Sequence, residues 1–168
     1  MTDTPDAVDR HVERWLPVVP DLDVDVEGAV TRMIHLTRHL RAVKERVLAD
    51  LDLPPHEYDT LHALAGRRGR AAPSDLAADL AVAPASITAR VDTLLRRGFV
   101  RRIPSTVDRR RVDVELTDAG EAAWRGAIKV QGAEEHRLLG ALTPTERRLL
   151  SDLLRRVLLV SEQPVDAP

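Results

Sequence analysis

The chain has no cysteine, which excludes disulfides, zinc–thiolate sites, a thiol nucleophile and thiol-based peroxide sensing together. Aromatic residues make up 2% of its 168 positions, so any core must be aliphatic. No apolar run approaches the roughly 20 residues that span a bilayer, and the acidic N-terminus lacks the basic start and apolar stretch of a signal peptide. The chain therefore reads as soluble and cytoplasmic. Also missing are G-x-S-x-G, a Walker loop, a dinucleotide fingerprint and H-E-x-x-H, which leaves an enzyme little support. His35 and His39 are four apart, but without a third ligand nearby they read as surface or dimer-contact residues. No cofactor and no metal are expected.

Lysine is almost absent as well, and the arginines that replace it are unevenly placed. Between Arg96 and Arg111 there are seven arginines (96, 97, 101, 102, 109, 110 and 111) against one acid, Asp108. The first 30 residues hold eight acids and two arginines, so the net charge of -2 conceals a polarised molecule. Concentrated arginine on an otherwise acidic chain suits phosphate, because neutralising it releases counterions. The plain alternative is a solvated charged loop.

Periodicity predicts the elements. Val8, Val12, Trp15 and Leu16 mark a short helix over 7–17, stopped by Pro17 and Pro20. A long amphipathic helix follows over 24–51, with Met33, Leu36, Leu40, Val43, Val47 and Leu51 three or four apart. Pro54 and Pro55 open a helix ending near Gly66, and Gly66 to Arg70 reads as a linker. Two short helices, over 73–81 and from Pro84 to the stop at Gly98, are close enough for a helix-turn-helix. In the second, Ile87, Val91, Leu94 and Leu95 form the inner stripe, leaving Ser86, Thr88, Ala89 and Thr93 on or near the outside. Phe99–Ile103 and Val112–Leu116 are β-rich runs flanking an arginine-lined tip, a hairpin wing. Thr117 caps a helix to about Leu139, weakened by Gly120, Gly126 and Gly132. Thr143-Pro144-Thr145-Glu146 then opens a last helix, whose leucine face is wider than one small domain needs and suits a second subunit. The fold class is mainly α with a small β-hairpin wing. Its parts are an extra N-terminal helix and linker (1–22), a dimerisation helix (23–53), a winged helix-turn-helix (54–117), C-terminal dimerisation helices (118–162) and a disordered tail (163–168).

This order of elements, with the run Asp108-Arg109-Arg110-Arg111-Val-Asp-Val-Glu-Leu116-Thr117-Asp-Ala-Gly120, resembles the MarR family of winged-helix transcription regulators. The resemblance covers about residues 28–160. It implies a homodimer with interlocked N- and C-terminal helices, each recognition helix in a major groove of double-stranded DNA and each wing over a minor groove. Ser86, Thr88, Ala89 and Thr93 would then face base edges, while Arg109, Arg110 and Arg111 would anchor the wing. Ala89 stands where relatives usually place Arg or Lys, so direct base readout is sparse. The added N-terminal helix resembles the urate-responsive branch, which implies an effector pocket from Trp15, Asp59, Arg90 and Arg102. There Asp59 pairs with Arg90 until an anionic purine displaces it. The expected function is a repressor released from a pseudo-palindromic operator by urate or a related planar anion. The alternatives are a ligand-independent regulator and a winged-helix module that binds protein.

Overall fold

The computed structural model describes residues 4–105 and 112–163. The chain divides into two compact units, Met1–Gln131 and Gly132–Pro168. The wing tip, with Arg109, Arg110 and Arg111, lies outside the described residues, as does the tail from residue 164 onward.

The first unit begins with helix α1, Ala7–Trp15. Asp6 caps it by accepting hydrogen bonds from the amides of Val8 and Asp9, and Asp9 reaches back to the Asp6 amide. Helix α2, Val24–Asp50, is capped in the same way by Asp23. Polar links join the two. Arg32 donates to Asp6 at 2.9 Å and to Asp9 at 2.5 Å, and His11 Nε2 lies 2.9 Å from Glu27. The Asp6 carboxyl is pulled down to about 2, chiefly by its hydrogen bond from Arg32. Glu27 is lowered too, first by His11 and then by the Thr31 hydroxyl. Val8 is the buried residue of α1, with Val12 half-buried beside it, and the ion pairs to Arg32 and Glu27 add a polar clasp around that apolar contact.

The stripe expected along α2 is buried only toward its end. Val47 and Leu48 are in the core, whereas Leu36, Leu40 and Leu51 are exposed together with Val26, Val30 and Ile34. The core instead gathers around α3 (Pro55–Gly66), α4 (Pro73–Asp79) and α5 (Pro84–Arg96). Leu61, Leu64, Leu76, Ile87, Val91 and Leu94 are at most 1% exposed, each contributing about 1.5–3 kcal/mol on burial. All three helices open with proline at the first turn.

The segment read as a linker holds a strand. Strand β1, Arg70–Ala71, joins β2 (Val100–Pro104) and β3 (Val112–Leu116) in an antiparallel sheet of order β1-β3-β2, so the expected hairpin is a three-stranded sheet. The chain enters β1 through Arg68 and Gly69, both left-handed at φ 60 and 82°. Two residues are too few to show alternation, which is why periodicity missed this edge. Ala71, Val100 and Val114 turn inward and close the core beneath α5.

Helix α6, Asp118–Leu139, runs unbroken through its three glycines, and at Gly120 the glycine is a requirement. A Cβ there would stand 2.0 Å from the Phe99 carbonyl oxygen. Thr117 closes the same junction: its amide donates to Phe99 O, its hydroxyl donates to Gly98 O at 2.7 Å, and that hydroxyl accepts from the Gly120 amide. The Leu-Thr-x-x-Gly run is thus a steric and capping device that seats the helix on the start of β2.

In the second unit, α7 (Pro144–Ser161) starts at the expected capping box, with Glu146 accepting from the Thr143 amide at 2.8 Å. Leu149, Leu153, Leu154, Val157 and Leu158 are all exposed along it.

Candidate nucleic-acid interface

Helix α5 presents the residues expected to meet DNA. Its buried side, Ile87, Val91 and Leu94, fixes its rotation. Ser86, Thr88 and Ala89 are exposed as a result, and Thr93 is half-buried. Two hydroxyls turn back on their own helix: Thr88 donates to Pro84 O at 3.0 Å and Thr93 to Ala89 O at 3.1 Å. The Ser86 hydroxyl makes no side-chain bond among the described residues. Whereas α1, α2 and α7 carry side-chain caps, α4 and α5 begin after Ala72 and Ala83, which supply none. Proline at the first position carries no amide, and the Asp75 and Ser86 amides turn back to the Ala72 and Ala83 carbonyl oxygens at 3.0 and 2.9 Å.

The arginine-rich stretch is less positive than its sequence suggests. Arg101 pairs with Glu115 at 2.5 Å, Arg102 with Asp92 at 2.7 Å, and Arg97 with the buried Glu57 at 2.7 Å. Arg96 donates to the Thr93 hydroxyl and has no carboxylate partner among the described residues. Three of the four described arginines in the run are thus compensated by acids 10, 14 and 40 positions away. Charge counted along a segment cannot see partners that distant.

The four residues assigned to an effector pocket are not linked to one another. Trp15, at the end of α1, is 44% exposed, with the His11 ring 6.2 Å away. The expected pair of Asp59 with Arg90 is not made. Asp59 accepts from Lys44 on α2 at 3.0 Å, because Lys44 is held over the adjacent Tyr58 ring at 4.7 Å. Arg90 is half-buried on α5 without an ion-pair partner among the described residues. Arg102 is tied to α5 through Asp92. Asp59 also lines a cavity of about 540 Å³ with His62, Ala63, Gly66, Arg67, Asp79 and Leu80. Nearby lies a group that the sequence reading did not single out: Trp124 Nε1 donates to His62 Nδ1 at 3.1 Å, and His62 stacks on Tyr58. The scarcity of aromatics was the one signal pointing there, since a chain with two Trp, one Tyr and one Phe brings Trp124 and Tyr58 to the same histidine.

Three helices carrying a three-stranded antiparallel sheet, with α4 and α5 in tandem, define a winged helix-turn-helix protein. A model of the MarR family matches residues 51–111. The HTH-type transcriptional regulator PecS of Dickeya dadantii is 30% identical over 149 residues, covering 87% of this chain and 89% of that one. Among solved structures, Escherichia coli MarR in its apo form superposes with a TM-score of 0.61 at 28% identity, over 76% of this chain and 95% of that one. A mutant of the same protein complexed with operator DNA gives 0.58 at 25% identity, over 86% and 97%. The chain belongs to the MarR family of DNA-binding transcription regulators, and its relatives are regulators rather than enzymes. No helix among the described residues is long and apolar enough to cross a membrane.

Proposed function

We propose that this protein is a homodimeric repressor that binds a pseudo-palindromic operator through α5 and the wing, and is released by a small planar anion, urate or a related purine. The observation that carries the DNA reading is the outer face of α5, where Ser86, Thr88 and Ala89 are exposed on a helix whose rotation the core fixes. Arg109, Arg110 and Arg111 at the wing tip provide the phosphate and minor-groove contacts. Dimerisation is supported by the apolar faces that each unit leaves uncovered: Val26, Val30 and Ile34 on α2, and Leu149, Leu153, Leu154 and Leu158 on α7. Two recognition helices on a two-fold axis select half-sites about one turn, roughly 10 bp, apart.

Release follows from exchange of weak partners. The Arg102–Asp92 pair is exposed and contributes no more than about 1 kcal/mol, and the Lys44–Asp59 pair is only part-buried, so both are open to competition. An anion that engages Arg90 and Arg102, with Trp15 as its aromatic face, reorients α5 through those side chains and lowers the population able to bind DNA. Fluorescence anisotropy on a duplex from the region upstream of the gene, with and without urate and xanthine, tests this. Release by purine is the expected result. Binding indifferent to both purines removes the effector and leaves a ligand-independent regulator. Asp59→Asn is expected to weaken purine release more than ligand-free DNA affinity. Collapse of ligand-free binding would make Asp59 structural instead.

A further inference from the structure

Arg97 belongs by sequence to the basic run, but its guanidinium points into the protein. It follows the last residue of α5 and caps that helix. Its Nη1 donates to Glu57 at 2.7 Å, on the first turn of α3, and Glu57 is only 3% exposed. Its Nη2 donates to the Asp52 carbonyl oxygen at 2.5 Å, at the elbow just past the end of α2. The Asp52 carboxylate is 3.4 Å away, and the guanidinium lies 4.7 Å over the Phe99 ring. Asp52 is held at φ 47, a left-handed position costly for a residue with a side chain. One planar group therefore joins the end of α2, the start of α3 and the end of the recognition helix.

We propose that Arg97, with Glu57, is a positioning residue: it sets the angle of α5 to α2, and so the separation of the two recognition helices that a dimer presents to DNA. This rests on the homodimeric reading above. A buried ion pair is weak evidence for stability, since an apolar pair of similar volume often serves as well; register is its best-attested use. Two discrete partners on one side and a helix cap on the other give it the directional geometry that an apolar contact lacks.

The test uses the full chain and a duplex selected by the wild-type protein from a random pool. That duplex is compared with versions carrying one base pair more or fewer at its centre, and with a scrambled duplex. Glu57→Met combined with Arg97→Met removes the pair without leaving a buried charge. Wild type is expected to prefer its own spacing by roughly tenfold, and the double variant to lose most of that preference, a change within the reach of coupling residues. Affinity for the scrambled duplex, and the dependence of binding on salt, are expected to stay as in wild type. Spacing preference retained in the double variant overturns the proposal, as does a parallel loss of scrambled-duplex affinity and salt dependence, which marks Arg97 as a phosphate contact. If the double variant does not fold, Glu57→Gln, which keeps volume and an acceptor, is expected to lower the preference about threefold; no change overturns the proposal. Sedimentation separates the two readings. A monomeric wild type refutes the dimer and the clamp with it, whereas a dimer that is blind to spacing, or a spacing-sensitive dimer whose double variant keeps the wild-type preference, refutes the clamp alone.

Discussion

Gly120 and Gly126 lie on the same helix, and the structure assigns opposite signs to the same substitution at each. A methyl group on Gly120 would stand 2.0 Å from the Phe99 carbonyl oxygen and 2.8 Å from its carbon, both backbone atoms, so no side-chain rotation relieves the clash. The start of β2 and the first turn of α6 must then part by about 1 Å, an overpacking that costs on the order of 1–3 kcal/mol. That movement also loosens the Thr117 bonds to Phe99 O and Gly98 O, each worth about 1 kcal/mol. Gly120→Ala is therefore expected to destabilise by about 3 kcal/mol or more, lowering Tm by roughly 6–12 °C. At Gly126 the added methyl would meet only Leu51 Cδ1 at 3.9 Å, an ordinary van der Waals separation. Removing glycine from a helix interior there stabilises by about 0.5–1 kcal/mol, so Gly126→Ala is expected to raise Tm by roughly 1–4 °C. Thermal melts followed by circular dichroism at 222 nm compare the two directly. Equal shifts, or a Gly120→Ala melt within a degree of wild type, would refute the close approach of α6 and β2.

Three other outcomes follow from named interactions. Thr117→Val removes the α6 cap and the bond to Gly98 O, and is expected to cost about 1–2 kcal/mol in the same melts; an unchanged Tm would show that the cap contributes nothing. Asp6 and Glu27 are depressed when α1 is docked, Asp6 from 3.8 to about 2, so docking contributes stability that is complete above the ordinary carboxylate range and lost as pH falls toward about 2. In a Trp124→Phe background, Trp15 emission is expected to shift across that acid window and Arg32→Met to abolish the shift; an emission that does not respond to acid would place α1's attachment elsewhere. Arg101 is compensated by Glu115, so Arg101→Met is expected to leave the salt dependence of DNA binding unchanged, while Arg109→Ala lowers the slope by about 0.9 for each phosphate it no longer neutralises. A slope that falls equally for both would show that intramolecular pairing does not keep arginine from DNA.

The elements that announced themselves in sequence did so through local chemistry. The α7 capping box is four consecutive residues, and the boundaries of α5 are set by Pro84 and Gly98, so both were legible. The β1 strand was not, because its two residues pair with Glu115 and Val114, more than 40 positions away. The glycines of α6 read as weaknesses when propensity was the only guide, and the reason for Gly120 lies in the Phe99 backbone. The outer face of α5 was legible for the opposite reason, since burying Ile87, Val91 and Leu94 determines which residues remain outside. What sequence could not supply was the destination of each arginine. Arg97, Arg101 and Arg102 look alike in the run, yet their partners come from α3, β3 and α5. For the same reason Asp59 found Lys44 rather than Arg90: the nearest cation in space is placed by the packing of α2 on α3.

The most direct test of a sequence-specific DNA-binding regulator is anisotropy titration of the purified protein against its own upstream duplex and a scrambled duplex of equal length, repeated across salt concentrations. A preference for the upstream duplex of at least about 10³ and a steep loss of affinity with salt are the expected results. Equal, weak binding to both duplexes would contradict that function.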